Sequence, residues 1–202
     1  GTGAMAISAT SNINSGGKTF PGPVTFSTTS TKTLVTNNWT ITGLLTLSGN
    51  TTLNWTTAET LSCAGLTCTS TTQTVGTAKI ILTGGTWASS QIISNNLDIQ
   101  GDVTISAGTG ATFGNGKTLT YVSGTVTTTG STLSLSTTGV TLDTNGISWN
   151  NITLLTSAIT YTINSLLTAT GILSFQALAT ITFGGTAGFN VATLTSNTTG
   201  AG

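Results

Sequence analysis

A nine-residue pattern recurs in this chain and restricts what it can fold into: apolar, polar, apolar, polar, Gly, any residue, apolar, polar, apolar. It reads Trp39-Thr40-Ile41-Thr42-Gly43-Leu44-Leu45-Thr46-Leu47, and again Leu97-Asp98-Ile99-Gln100-Gly101-Asp102-Val103-Thr104-Ile105. A third copy is Leu167-Thr168-Ala169-Thr170-Gly171-Ile172-Leu173-Ser174-Phe175, with Ala169 as its one small apolar position. A period of two puts successive side chains on opposite faces of an extended strand, whereas a helix would need apolar residues at i, i+3 and i+4. The copies begin 58 and then 70 residues apart, so the repeat is degenerate and the loops between copies differ in length. Asn37-Asn38 and Asn95-Asn96 precede the first two copies, and Asn150-Asn151 precedes Ile152-Thr153-Leu154.

Between the copies lie further strand-like runs: Lys79 to Thr83, Thr118 to Val122, Thr132 to Ser136, Ile159 to Ile163 and Ala179 to Phe183. Gly84-Gly85, Asn115-Gly116, Asn145-Gly146 and Gly184-Gly185 separate them as turns. About a quarter of the residues are Thr, which is β-branched and suits a pleated surface, while Gly and Asn serve turns that need positive φ. Many short strands without a helix predict an all-β fold. The favoured architecture is a parallel β-solenoid, β-helix-like, in which aliphatic side chains stack inward and Thr, Ser and Asn stack outward in ladders. A β-sandwich and an intertwined trimeric β-fibre are the alternatives, and Asn115-Gly116 is the kind of dipeptide antiparallel hairpins prefer. Residues 1–36, with both prolines (Pro21 and Pro23), are expected to form a lead-in or linker, residues 1–4 a cloning remnant, and residues 37–202 the repeat domain of a longer chain.

Charge removes several functions. Four Lys, four carboxylates, no Arg and no His leave a net charge of zero, with 4% of residues charged against roughly 25% in ordinary domains. Nucleic-acid binding rests on phosphate neutralisation by Lys and Arg, so no nucleic-acid partner is expected. Imidazole-based triads and His-containing zinc sites are excluded by composition. No apolar run approaches the roughly 18 residues of a membrane helix, and no membrane insertion is expected. With 37% hydrophobic residues the chain can still build a core rather than remain disordered.

A few residues could carry chemistry. Asp98 and Asp102 sit four apart on one strand face, roughly 13 Å at about 3.3 Å per residue, too far for a paired-carboxylate glycosidase unless Gly101 makes a bulge. They could join amide or backbone oxygens around a calcium ion, although the spacing is neither that of an EF-hand loop nor that of the Gly-Gly-x-Gly-x-Asp calcium repeat; solvated surface charge is the simpler reading. Cys63 and Cys68, the only cysteines, could form a local disulfide if a turn at Ala64-Gly65 brings them together, or stay as two buried thiols. Trp55, Trp87 and Trp149 could offer indole faces to a sugar, whereas Trp39 occupies an inward slot and is expected in the core. Asn38, Asn50, Asn54, Asn151 and Asn197 head Asn-x-Ser/Thr triplets, which arise readily by chance at this Thr frequency. No cofactor is expected, and no enzymatic activity.

The runs Trp149-Asn150-Asn151-Ile152-Thr153-Leu154 and Ile159-Thr160-Tyr161-Thr162-Ile163-Asn164-Ser165-Leu166-Leu167-Thr168-Ala169-Thr170-Gly171-Ile172-Leu173 carry a resemblance. They resemble the degenerate Thr/Gly/Asn-rich repeats of bacteriophage virion proteins, especially tail-fibre and appendage proteins, and of some bacterial surface adhesins. The resemblance covers most of residues 37–197, is one of composition and repeat style, and transfers no functional residue. It implies a β-solenoid or fibrous fold, self-association as a homo-oligomer or trimer or with other virion proteins, and attachment to a cell surface, with a glycan as partner. The expected role is a structural fibre or surface-array segment at a virion surface or outside the cell. The alternatives are an ice-binding solenoid, motivated by Thr-x-Thr elements such as Thr118/Thr120 and Thr160/Thr162, and a carbohydrate-binding adhesin module.

Overall fold

The structure, a computed structural model, describes residues 3–27, 29–69, 76–89, 92–106, 110–113, 116–135, 137–154, 159–176 and 180–197. These residues form 26 strands and no helix, and every registered strand pair is parallel. The fold is a parallel β-solenoid with three faces, which the chain visits in rotation; between Leu66–Cys68 on the first face and Lys79–Leu82 on the third, the described residues include no second-face strand.

The first face begins with Met5–Ile7, Val24–Phe26, Leu45–Leu47, Leu66–Cys68, Gly85–Trp87, Val103–Ile105 and Val126–Thr127, in that order in one sheet. The second begins with Ser11–Ile13, Ser30–Leu34 and Thr51–Trp55, and resumes from Ile92–Ile93. The third is a nine-stranded sheet from Thr19–Phe20 to Thr180–Phe183. Near the end, Leu167–Gln176 bends across two faces: Thr168 and Ala169 pair with Ser148 and Trp149, while Leu173–Phe175 pair with Ile152–Leu154. One chain closes all three faces, so neither a sandwich nor an interlaced trimer is needed to build them.

Alternation decides what fills the interior. On the third face Trp39, Leu61, Ile80, Leu97, Leu119, Leu142 and Ile163 form one inward column, each paired with the next. On the first face Val24, Leu45, Leu66, Trp87 and Ile105 do the same. All of these are buried, and each large apolar side chain removed from water contributes about 1.5–3 kcal/mol before the entropy of ordering is counted. On the third face a parallel ladder joins each turn to the next, so the polar backbone there is satisfied within the stack.

The register explains the degenerate repeat. Trp39 pairs with Leu61, Leu61 with Ile80 and Ile80 with Leu97, so the first two pattern copies lie three turns apart, and turns of 22, 19 and 17 residues sum to the 58 that separates them. Both copies run from the third face to the first. The third copy runs from the first face to the second, which breaks the spacing. The pattern is therefore a corner motif, and its glycine is set by the corner. A Cβ on Gly101 would lie 1.9 Å from Thr83 O, and one on Gly124, where φ is +98°, would lie 2.2 Å from Gly101 O. Successive turns stack backbone on backbone there, and no side chain fits between them.

The lead-in expected over residues 1–36 is corrected by the same pairings. Met5–Ile7 pairs with Val24–Phe26 and Ser11–Ile13 with Lys32–Leu34, so these residues already belong to the solenoid. Pro21 and Pro23 flank Gly22 at the first of the third-to-first-face corners, where their missing amides break no ladder. The expected runs at 79–83, 118–122, 132–136, 159–163 and 179–183 appear as Lys79–Leu82, Thr118–Ser123, Thr132–Leu135, Thr160–Ile163 and Thr180–Phe183. Asn115 lies outside the described residues; Gly116 has φ +67°, the turn conformation its sequence predicts.

Candidate functional site

The polar side chains fall into three groups: those spent joining turns, those stacked in outward files, and a few left free at one recess.

Most amides and carboxylates belong to the first group. Asn38 Oδ1 accepts the backbone N–H of Thr60 at 2.9 Å, Asn96 Oδ1 that of Thr118 at 3.0 Å, and Asn151 Oδ1 that of Ile172 at 2.9 Å. Asn54 and Asp102 act alike toward Thr77 and Thr125. Each acceptor serves an amide one turn ahead. Buried Asn95 reaches two carbonyls, donating from Nδ2 to Leu53 O and Ala78 O. The Asn-Asn pairs of the sequence are thus struts between turns, a role their recurrence just before a strand signals but that sequence reasoning missed.

The aspartates do not converge on a cation. Asp98 Oδ2 pairs with Lys79 Nζ at 3.0 Å, beneath the outward surface of the third face, and Asp102 stands beyond the Gly101 corner with its oxygen on Thr125 N–H. Among the described residues no group of three or more Cys, Asp or Glu side chains is placed to hold a metal. Glu59 is a corner brace: Oε1 accepts from Thr36 N, Thr56 Oγ1 and Thr57 Oγ1, and Oε2 from Thr57 N. The bonds from Thr57, its hydroxyl first and then its amide, with that from Thr56, hold the pKa of the carboxyl at about 2.

Cys63 and Cys68 are buried thiols on different faces, not joined in a disulfide, the second of the two readings offered for them. Burial pushes the Cys63 thiol up to about 12, so it is no nucleophile at neutral pH. Trp87 and Trp149 are fully buried, which corrects their assignment as sugar platforms. Both follow an outward residue, Thr86 and Ser148, and alternation sends them into the core. Trp87 sits in an inward slot opposite Leu66 and meets Phe113 edge to face. Trp39 is buried as expected. Trp55 is half-buried at the end of its strand.

The outward files are best developed on the first face. Its strands are mostly three residues long and present one outward side chain each: Thr25, Thr46 and Thr67 pair in succession, and after a register shift so do Thr86, Thr104 and Thr127. None of the eight charged residues lies in a strand of this face. The Thr-x-Thr elements are divided among faces. Among the described residues only Thr160/Thr162 and Thr180/Thr182 stack directly as pairs, on the third face.

The first-face ladder is interrupted once along its length. Val126–Thr127 pairs backward with Val103–Ile105, but no ladder joins it to Ser148–Trp149, the next strand of that face. Thr128 Oγ1 donates to Ser148 O and Asn151 N to Ser131 O, holding the two turns together beside the gap. A recess of about 470 Å³ opens here, lined by Val126, Thr127, Thr128, Thr129, Ser148, Asn150 and Thr170. Thr170 Oγ1 is on Trp149 O, whereas among the described residues the side chains of Thr127, Thr129, Ser148 and Asn150 have no hydrogen-bond partner.

Fold and surface together define a three-faced parallel β-solenoid, several of whose polar side chains join one turn to the next. Comparison of the chain with protein-family models, with curated proteins and with solved structures finds no match.

Proposed function

We propose that this chain is a rod-forming structural segment of a surface appendage, of the kind phage virions carry, that spans distance and serves attachment. The observation that carries the reading is the unbroken nine-stranded third face with its continuous inward column. Nine parallel strands at about 4.8 Å make a rod about 40 Å long. In the last described turn Phe183 and Leu194 occupy inward columns and are 46% and 56% exposed. Those columns, and the edges of Thr180–Phe183 and Phe189–Asn197, which pair with no later strand among the described residues, suit stacking by a further turn of the same kind, whether of this chain, of a second copy or of a neighbouring virion protein. The test is electron microscopy of the purified chain over a concentration series, with labelling of source particles by antibodies against it. Rods lengthening in multiples of the unit, and labelled appendages, are expected. Compact monomers at every concentration together with unlabelled particles sink the proposal.

A second reading, an ice-binding solenoid, is favoured by the uncharged Thr file of the first face. The file is one residue wide and shifts register between Thr67 and Thr86, which limits the flat area it can match to a lattice. Absence of thermal hysteresis removes this reading.

A further inference from the structure

We propose that the recess between Val126–Thr127 and Ser148–Trp149 binds a neutral sugar unit of a surface glycan. The proposal deepens the attachment role given above and rests on it. The chemistry of the lining selects the ligand. No carboxylate, thiol or amine lines the recess, so it has nothing to hold a cation or to neutralise a phosphate or sulfate. Val126 is its one large apolar side chain, so an apolar ligand would leave the hydroxyls and the amide unpaired at a cost.

What remains is a small neutral molecule with several donors and acceptors. The hydroxyls of Thr127, Thr129 and Ser148 can donate or accept, and the Asn150 amide offers two donors and an acceptor. A pyranose presents adjacent hydroxyls of the same dual character on a ring with a C–H face for Val126. The volume of about 470 Å³ lies within the ordinary range for small-ligand sites of about 300–1,000 Å³.

A peptide fits less well, although the strands on either side do not pair. The bonds from Thr128 Oγ1 to Ser148 O and from Asn151 N to Ser131 O keep the turns clasped, and an added strand would need a further 4.8 Å or so between them. The ligand therefore docks from outside, on side chains.

The probes are an array of neutral and acidic glycans, a panel of extended peptides, and saturation-transfer NMR with the best neutral sugar. Wild-type chain is expected to bind at least one neutral glycan. Thr127→Val and Asn150→Ala are each expected to weaken it about three- to tenfold, the loss of one or two hydrogen bonds. Thr46→Val, on the same file several turns away, is expected to change nothing. Thr127→Val keeps shape and β-branching, so it reports on the site even if Asn150→Ala disturbs the corner. Silence toward every neutral glycan, binding of peptides or acidic glycans alone, or equal affinity in the Thr127 variant overturns the proposal. Microscopy of the same preparations separates the two levels, since rods that form without sugar binding retire the recess and leave the spanning role standing.

Discussion

Asn38 Oδ1 lies 2.9 Å from the backbone nitrogen of Thr60, one full turn ahead in the solenoid. The same relationship joins Asn96 to Thr118 and Asn151 to Ile172, so a side chain supplies an inter-turn bond just where each strand begins. Removing the oxygen leaves an amide that water can reach only partly. Asn38→Ala and Asn96→Ala are each expected to destabilise the fold by about 1 kcal/mol. Three turns separate the sites, so the double variant should lose the sum of the two. Urea melts of the single and double variants check both the size and the additivity.

Glycine at the corners has a steeper requirement. At Gly101 a methyl group would meet the Thr83 carbonyl oxygen at 1.9 Å, and backbone rather than a pliable side chain would have to move. Gly101→Ala is expected to cost about 3 kcal/mol or more and to loosen the corner on both sides. Gly188→Ala, whose Cβ meets nothing within 4 Å, is the matched control and should stay within about 0.5 kcal/mol of wild type. Equal thermal midpoints for the two variants would show that the turns do not stack closely there.

Lys32 is the one charged side chain aimed into the interior, between Ser11 and Leu53 in the stack, with the Ser30 hydroxyl as its hydrogen-bond partner. Desolvation lowers its pKa below the ordinary 10.5. The folded chain thus holds this proton less tightly than the unfolded chain, so protonation opposes folding, and the penalty fades as pH rises toward 10.5. Lys32→Met, of similar shape, is expected to gain about 1 kcal/mol at neutral pH, or about 2–4 °C in midpoint. Thermal melts at pH 7 and pH 10 should show the gain shrinking at the higher pH.

Much of this architecture can be read from local alternation, because inward and outward slots follow from a period of two alone. Trp39-Thr40-Ile41 is buried, exposed, buried, as its pattern requires. Strand direction is a different matter. Asn-Gly and Gly-Gly turns serve a hairpin and a solenoid corner equally, and only the pairing of Trp39 with Leu61, 22 residues on, separates the two. The tryptophans show how a local rule fails when the register is unknown. Ser148-Trp149 is a two-residue strand with no neighbouring alternation to orient it, so the indole reads as free when it is buried. The recess had no signature at all, since it arises where consecutive turns of the first face fail to pair.

Glu59 links the corner braces to acidity. Its carboxylate accepts hydrogen bonds from both Thr57 groups, from Thr56 and from Thr36 across the turn, and the Thr57 hydroxyl and amide first, with Thr56 after them, hold it at about 2 against an ordinary 4.5. A group with a depressed folded-state pKa is protonated more readily in the unfolded chain. Its contribution is therefore fully present above about pH 4.5 and is lost as pH falls toward 2. Wild-type stability is expected to decline across that window. Glu59→Gln keeps an acceptor oxygen but cannot titrate, so it should be less stable than wild type at pH 7 and lose less on acidification. Urea midpoints at pH 7, 4.5 and 2.5 test this: the two curves should converge at the acid end, and parallel curves would show that Glu59 is not the group whose protonation weakens the fold.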